Sequence, residues 1–338
     1  QSNTSGTSAR IRGIGTGSDN PGFEGAVGIF IDGVYRARAG AALTDLPELE
    51  RVEVLRGPQG TLFGRNTSSG AISVVTAAPD FTSGVGVNLL HGDLNENGVR
   101  AMVNMPVTDS LALRFDGSVR SRDGYITDLT SHEDINTKNR WSGRGQMLWY
   151  ISPNATLRVI ADAAATDEVG CGITPLVYGP AQGVISILTA GAGTPAINTE
   201  ARGMTVTPAR DYNERSSEHG ISAQLDWDLG FGRLTSITSD RSWQSRRDQD
   251  IDFNLIDIAY RDGLRVSFQN FSEELRLQGE AGRLNWLVGG YYGSEQLRQT
   301  DTIRLGAQAV AYTNTAVFAG SGFTQELFNT HAGAVPSI

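Results

Sequence analysis

The chain has 338 residues, of which 39% are hydrophobic and 19% charged, and its formal net charge is −9 at pH 7. A length of this order suggests roughly two domains, and the composition is not that of a disordered chain. The acidic balance argues against a nucleic-acid partner, which requires clustered Lys and Arg. No run approaches the roughly 18 apolar residues of a membrane-spanning helix. A membrane β-barrel remains possible, because its strands alternate apolar and polar residues.

The first predicted elements lie within residues 27–76. The run VGIFIDGVY contains Asp32–Gly33, a dipeptide that favours a two-residue hairpin turn. The apolar runs Val52–Leu55 and Ala71–Thr76 are typical of strands, and the segment between them is rich in Gly, Pro and Asn. Such a segment cannot be a helix interior and must form tight turns. Its turn-forming residues are Gly57, Pro58, Gly60, Gly64, Asn66 and Gly70.

Beyond this region the sequence alternates between apolar and polar residues up to about residue 300. The pattern is clearest where Ile221, Leu225 and Trp227 alternate with Gln224 and Asp226. Alternation of this kind predicts strands with one apolar and one polar face. Nine strands are predicted, near residues 84–91, 98–106, 111–121, 140–151, 156–166, 216–229, 233–246, 265–279 and 283–298.

The predicted connections alternate in length. The short ones are Pro106–Ser110, Ser152–Ala155, Gly230–Gly232 and Glu280–Gly282, and the long ones are Arg122–Asn139, Asp167–Arg215 and Arg247–Gly263. Alternation of side chains alone fits any antiparallel sheet with one wet face. The charged wet face and the alternating loop lengths favour an outer-membrane barrel over a sandwich, because such barrels have short periplasmic turns and long outer loops.

Four blocks in the first part of the chain resemble the plug domain of TonB-dependent outer-membrane receptors. They are RIRG at Arg10–Gly13, VGIFIDGVY, LERVEVLRGPQG with Glu53 and Arg56, and GRNTSSGAI. The resemblance implies a mainly β fold: a transmembrane antiparallel β-barrel, here incomplete, with an N-terminal α+β plug domain. We expect residues 1–79 to be an N-terminally truncated plug and residues 80–338 to hold the first nine or so strands, in a class whose barrels have about 22.

An ionic latch between plug and barrel is the site that we predict. Arg12 and Arg56 each precede a glycine, which lets the backbone turn and the guanidinium leave the plug surface. In FSEELRLQ, Glu274 takes the face opposite to Leu275 and Leu277 and therefore points into the lumen. The resemblance implies that plug arginines at these positions pair with barrel glutamates such as Glu274. The alternative for Glu274 is a solvated lumen charge.

The resemblance further implies a ligand-gated transporter in the outer membrane of a Gram-negative bacterium. The expected ligand is a ferric siderophore, with cobalamin, haem or an oligosaccharide as alternatives. The expected partners are outer-membrane lipid, lipopolysaccharide and TonB with ExbB–ExbD. TonB would act through a box upstream of Gln1, and no nucleic acid is expected.

Two other classes of function stay open at this point. One is a surface signalling or docking receptor, and the other is a soluble β-rich enzyme. An enzyme would need a convergent nucleophile or acid–base cluster, and the sequence has neither a GxSxG motif nor a metal-type histidine spacing. We therefore expect no catalytic residue, cofactor or metal site. Cys171 is expected to be an isolated loop thiol or to pair with a residue outside this sequence.

Overall fold

The structure is a computed structural model. It describes residues 9–15, 24–37, 46–129, 131–170, 172, 176–179, 181–191, 204–206, 209–210 and 212–321. These residues form a small sheet, a large antiparallel sheet and a minor three-stranded sheet. Cys171 lies outside the described residues, as do residues 331–338 at the end of the chain.

The small sheet, called the plug sheet below, holds the strands predicted in the first part of the chain. Its elements are β1 (Val27–Ile31), β2 (Val34–Tyr35), β3 (Leu49–Arg56), α1 (Gly60–Phe63) and β4 (Gly70–Thr76). The strand order is β2-β1-β4-β3, with β1 parallel to β4 and the other pairs antiparallel. Ile29, Ile31 and Val74 form a buried cluster within it.

Both predicted Gly-containing turns of the plug sheet are formed. Asp32 and Gly33 have φ values of 50° and 78° and close the β1–β2 hairpin, in which Ile31 pairs with Val34. In RIRG, Arg12 and Gly13 have φ values of 54° and 78°. The flanking isoleucines exchange two backbone hydrogen bonds of 3.0 Å across this turn. Consecutive left-handed residues match the geometry of the tight hairpin turns that Asp-Gly and similar pairs favour.

The remaining elements follow in chain order. They are β5 (Gly84–Gly92), β6 (Glu96–Thr108), β7 (Leu111–Arg122), β8 (Ile126–Asp128), β9 (Asp134–Ile135), β10 (Lys138–Ser152), β11 (Ala155–Glu168), α2 (Gln182–Leu188), β12 (Met204–Val206), β13 (Asn213–Asp228), β14 (Arg233–Asp250), β15 (Ala259–Ala281), β16 (Leu284–Thr300), β17 (Ile303–Leu305) and α3 (Ala309–Ser321). None of the described helices is long and apolar enough to cross a membrane.

The large sheet, called the wall below, confirms all nine strands predicted from alternation. Its order is β16-β15-β14-β13-β11-β10-β7-β6-β5, with the short β17 added beside β15. The four short connections and the three longer ones also fall where they were predicted. In the longer connections, β12, β8 and β9 form the minor sheet. Arg210 donates to both carboxylate oxygens of Asp257 at 2.9 and 2.8 Å, which lowers the pKa of Asp257.

The wall has an inner face, which contacts the plug sheet, and an outer face. Ile221 and Trp227 lie on the outer face, where 53% and 45% of their surfaces are exposed. Gln224 lies directly opposite Arg158, whose side chain reaches the plug sheet. The predicted orientation of this strand is therefore confirmed, because residues paired across a sheet share a face.

Gly70 offers a test of the plug sheet. Its φ is 144°, and a Cβ there would lie 2.3 Å from the Leu55 carbonyl oxygen and 2.6 Å from Ile11 Cδ1. We expect Gly70→Ala to destabilise the plug sheet by about 2 kcal/mol or more, as strained backbone positions do. Hydrogen exchange of residues 27–76 would measure it. Gly60→Ala is the matched control, because a Cβ at Gly60 meets open space. Equal protection in both variants would contradict the prediction.

Candidate functional site

The plug sheet is joined to the wall through the side chain of Asp32. This carboxylate is buried, and Arg144 of β10 donates to its Oδ2 atom while Arg158 Nη1 of β11 lies 3.4 Å from Oδ1. Within the plug sheet, the Thr76 backbone N–H donates to Oδ1 at 2.9 Å and the Thr76 hydroxyl donates to Oδ2 at 2.9 Å. A buried carboxylate with this many donors is compensated for its loss of water.

The sequence assigned Asp32 to a turn, and the structure confirms the turn and adds the two arginines. The hydrogen-bond network around Asp32 continues through Gln146. This side chain accepts from Arg158 Nη2 at 2.6 Å and donates to the Ala77 carbonyl oxygen at 3.0 Å. In the sequence Arg158 lies between Leu157 and Val159, so alternation puts it on the polar face of its strand. Its pairing with Asp32 depends on how the plug sheet is seated, which alternation does not contain.

Asp32 meets one level of the wall at which charges alternate in sign across the strands. This level, the charged row, comprises Asp116, Arg144, Asp162, Arg241 and Glu295. Gly220 separates Asp162 from Arg241 in the register, and a Cβ at Gly220 would lie 2.6 Å from Arg241 Nη1. Because this glycine has no side chain, Arg241 reaches across it and donates to Asp162 Oδ2 at 3.1 Å.

The plug segment, which comprises residues 24–37 and 46–76, carries charged residues that lie opposite wall residues of the opposite charge. Arg36 Nη2 lies 3.9 Å from Asp162 Oδ2, and Arg65 pairs with Glu295. Glu48 accepts from Arg114, which lies next to the charged row and also pairs with Asp116 at 3.2 Å. Opposite charges therefore face each other at several separate points, a pattern that fixes the orientation of one body against another.

Burial and neighbouring carboxylates set the ionisation of the plug groups. Burial lowers the pKa of Arg36, and the negative charges of Asp162 and Glu218 oppose this effect. For Arg65, burial also lowers the pKa, but Glu295 and Glu24 raise it to a net increase. Burial raises the pKa of the Tyr35 hydroxyl, which accepts from Asn66 Nδ2 at 2.8 Å. Because an arginine guanidinium is not deprotonated in proteins, the contacts of Arg36 and Arg65 are ionic.

An apolar contact lies beside the ionic one. Phe30, Tyr35, Ala37 and Ala71 of the plug segment pack with side chains of β14 and β15, which are Trp243, Leu264, Val266 and Phe268. A Cβ on Gly33 would lie 2.9 Å from Ile237 Cδ1, so the hairpin turn also approaches the wall closely. The plug segment is thus held by both charge and apolar burial.

The three latch residues lie apart from this network. Arg12 and Arg56 are exposed, and Glu274 lies 3.1 Å from Arg276 Nε, two residues along its own strand. Glu274 pairs in register with Ile237, so its predicted inward orientation is confirmed. Among the ion pairs of the described residues, neither Arg12 nor Arg56 occurs with Glu274. The latch itself stays a prediction.

The other predicted plug residues shape turns or lie on the surface. Arg10 is exposed, and Glu53 accepts from Arg51 at 2.7 Å on the exposed side of β3. Gly57 and Gly64 have φ values of 84° and 75°, where a side chain would be strained. Pro58 and Gly60 lie at the start of α1. Within the described part of the chain, no group of three His, Cys, Asp or Glu residues is arranged to hold a metal.

Part of the chain is similar to known proteins. Residues 1–71 match the family model of the TonB-dependent receptor plug domain. The ferrioxamine B receptor of Salmonella typhimurium is 30% identical over 115 residues, which are 33% of this chain and 15% of the relative. The pesticin receptor of Yersinia pestis is 42% identical over 76 residues, which are 21% of this chain and 10% of the relative.

Solved receptors share the fold. The ferric yersiniabactin uptake receptor FyuA from Yersinia pestis has a TM-score of 0.71 at 18% identity, over 90% of this chain and 44% of that one. The ferripyoverdine receptor of Pseudomonas aeruginosa has a TM-score of 0.63 at 16% identity, over 81% of this chain and 37% of that one. The chain thus spans less than half the length of these receptors.

Residues 1–71 are therefore similar to the plug domain of TonB-dependent receptors. The wall has the fold of part of the receptor barrel, with the plug sheet against its inner face.

Asp32→Asn tests the plug–wall contact. Removing the charge leaves two arginines, buried or nearly so, without their carboxylate, which typically costs about 3–5 kcal/mol. We expect faster hydrogen exchange and easier proteolysis in residues 27–37, with the wall strands unchanged. Glu53→Gln is the matched control, since surface ion pairs contribute little. If the two variants loosen the plug equally, Asp32 does not hold it.

Proposed function

We propose that this protein is a TonB-dependent outer-membrane transporter that takes up ferric siderophore complexes. The observation that carries the proposal is a plug sheet seated against the inner face of the wall by ion pairs of alternating sign. One curated relative and two solved receptors are named for ferrioxamine B, ferric yersiniabactin and ferripyoverdine, which supports a siderophore as ligand. These names belong to receptors rather than to enzymes.

The two kinds of bonding in the structure suit a gated transporter. The wall is held by backbone hydrogen bonds between strands, which persist when side chains move. The plug is held largely by side-chain contacts, and charged side chains can exchange their partners for water or for a ligand. Two conformations of the plug against a constant wall follow from this difference, and ligand binding would shift their populations.

We further propose the division of the chain and its partners. Residues 1–79 would form the plug, residues 80–338 would contribute the first barrel strands, and outer-membrane lipid and lipopolysaccharide would surround them. TonB, with ExbB–ExbD, would supply energy through a box upstream of Gln1. Because the plug contacts the wall at several points, moving it requires energy from outside the barrel.

The latch of Arg12, Arg56 and Glu274 is part of the proposal. The inward orientation of Glu274 supports it. We expect Glu274→Gln in the full-length protein to loosen residues 10–56 by a free energy between that of a surface pair, about 0–1 kcal/mol, and that of a buried one, about 3–5 kcal/mol. Hydrogen exchange would measure it. Arg276→Gln is the control, because it breaks the local pair of Glu274 with Arg276. Equal loosening in both variants would show that the effect comes from this local pair and not from the latch.

The uptake reaction itself can be tested in the host strain. We expect deletion of the full-length gene to abolish growth on ferric siderophore as sole iron source, and loss of TonB to have the same effect, because the plug must be moved by external energy. Radiolabelled iron uptake would measure the transport. Should deletion alter uptake of cobalamin or an oligosaccharide but of no iron chelate, the ligand would belong to another class.

A further inference from the structure

Four cations are concentrated on the inner face of the wall at the end where the long connections lie. They are Arg120 and Arg122 of β7 and Lys138 and Arg140 of β10. In the register of the sheet, Lys138 lies directly opposite Arg122, and Arg140 lies directly opposite Arg120. Like charges that are directly opposite destabilise a sheet. Two such pairs in succession therefore work against folding.

Carboxylates of the wall compensate only half of this charge. Arg120 donates to Glu96 at 2.9 and 2.6 Å, and Arg140 donates to Glu168 at 2.9 Å. The Arg122 guanidinium donates to backbone carbonyl oxygens at 2.6 and 3.2 Å and pairs with no carboxylate among the described residues. Lys138, which is half-buried, has no side-chain partner within that part of the chain.

Strand alternation places the four cations in the lumen. Arg140 and Lys138 are four and six residues from Arg144, which contacts Asp32 of the plug, and even spacing on a strand preserves the face. At about 3.3 Å per residue, they lie roughly 13–20 Å along β10 from that contact, toward the long connections. The cations thus face the space above the plug sheet and not the outer face, where lipid headgroups would bind.

We propose that these four cations, the mouth cluster, bind an anionic group of the transported solute. The inference rests on the proposed function and narrows it: the ferric chelate carries negative charge, as carboxylate or catecholate chelates do. A guanidinium can bind a carboxylate through two parallel hydrogen bonds, and an ammonium adds a mobile point charge. The uncompensated repulsion is relieved when an anion arrives, so the site is most stable when occupied.

The experiment compares two probes on the full-length receptor in detergent. One probe is a ferric tris-catecholate, which is an anion, and the other is a ferric trihydroxamate that bears an ammonium group. Lys138→Gln and Arg122→Gln each remove one charge from the mouth cluster. Arg298→Gln, on the outer face of β16, is the matched control because it removes the same charge.

We expect each mouth-cluster variant to weaken binding of the anionic chelate about tenfold or more, since a hydrogen bond to a charged group is worth about 1.5–3 kcal/mol. The control should change it less than about twofold, and added salt should weaken only the anionic probe. The melting temperature of Lys138→Gln should stay the same or rise, because this change removes a repulsion and leaves the Arg122 hydrogen bonds in place. This last readout separates a binding role from a structural one.

Other outcomes would overturn the inference. Equal weakening for both probes, or a drop in the melting temperature of Lys138→Gln, would make the cluster structural. Unchanged binding of the anionic chelate in both variants would exclude it as the anion site. Failure of the wild-type receptor to bind any ferric chelate would contradict the proposed function instead. If the wild-type receptor bound an anion without iron, and if both variants weakened that binding, the mouth cluster would still be an anion site.

Discussion

The position of the plug sheet depends on one buried carboxylate. Asp32 is placed by a tight turn that only left-handed residues can form, and it meets two arginines from adjacent wall strands and both donors of Thr76. Removing a carboxylate from water is costly, and only a full set of donors offsets that cost. The turn, the register of β10 with β11 and the end of β4 must therefore all be correct at once. This requirement makes the Asp32 contact specific as well as stabilising.

The charged row extends the same principle across the wall. Charges of opposite sign on the inner face of the wall pair with each other, independently of the plug. The Arg241–Asp162 and Arg114–Asp116 pairs show this. The plug then adds a second set of opposite charges at points spread over several strands. Because the contact is divided among several separate pairs, no single pair fixes the plug irreversibly. A body held in this way can be seated accurately and still be moved, which suits a gate better than a wholly apolar core would.

Charge is distributed differently along the axis of the wall. At the level of the plug, charges of both signs alternate, whereas the four cations of the mouth cluster pair, among the described residues, with two carboxylates. Balanced charge suits a contact between two parts of one protein, because it leaves no net field. An unbalanced cluster suits capture of an ion from outside, since its field extends into solvent over about a Debye length. The two levels thus have separate physical roles.

The strands, their faces and the turns follow from the pattern of residues along the chain. A period of two residues predicts which side chains share a face, so Glu274 could be placed inward, and the Asp32–Gly33 pair predicted a hairpin turn that the structure confirms. The family of the plug was also readable from its motifs. Which charges meet depends on how the chain is folded in three dimensions. The partners of Asp32 lie 112 and 126 positions away, and pairing over such a separation depends on strand register and on the seating of one sheet against another. Alternation determines on which face of the sheet a residue lies. It does not determine the position of the residue along the strand axis relative to the plug sheet, and this position selects the partner.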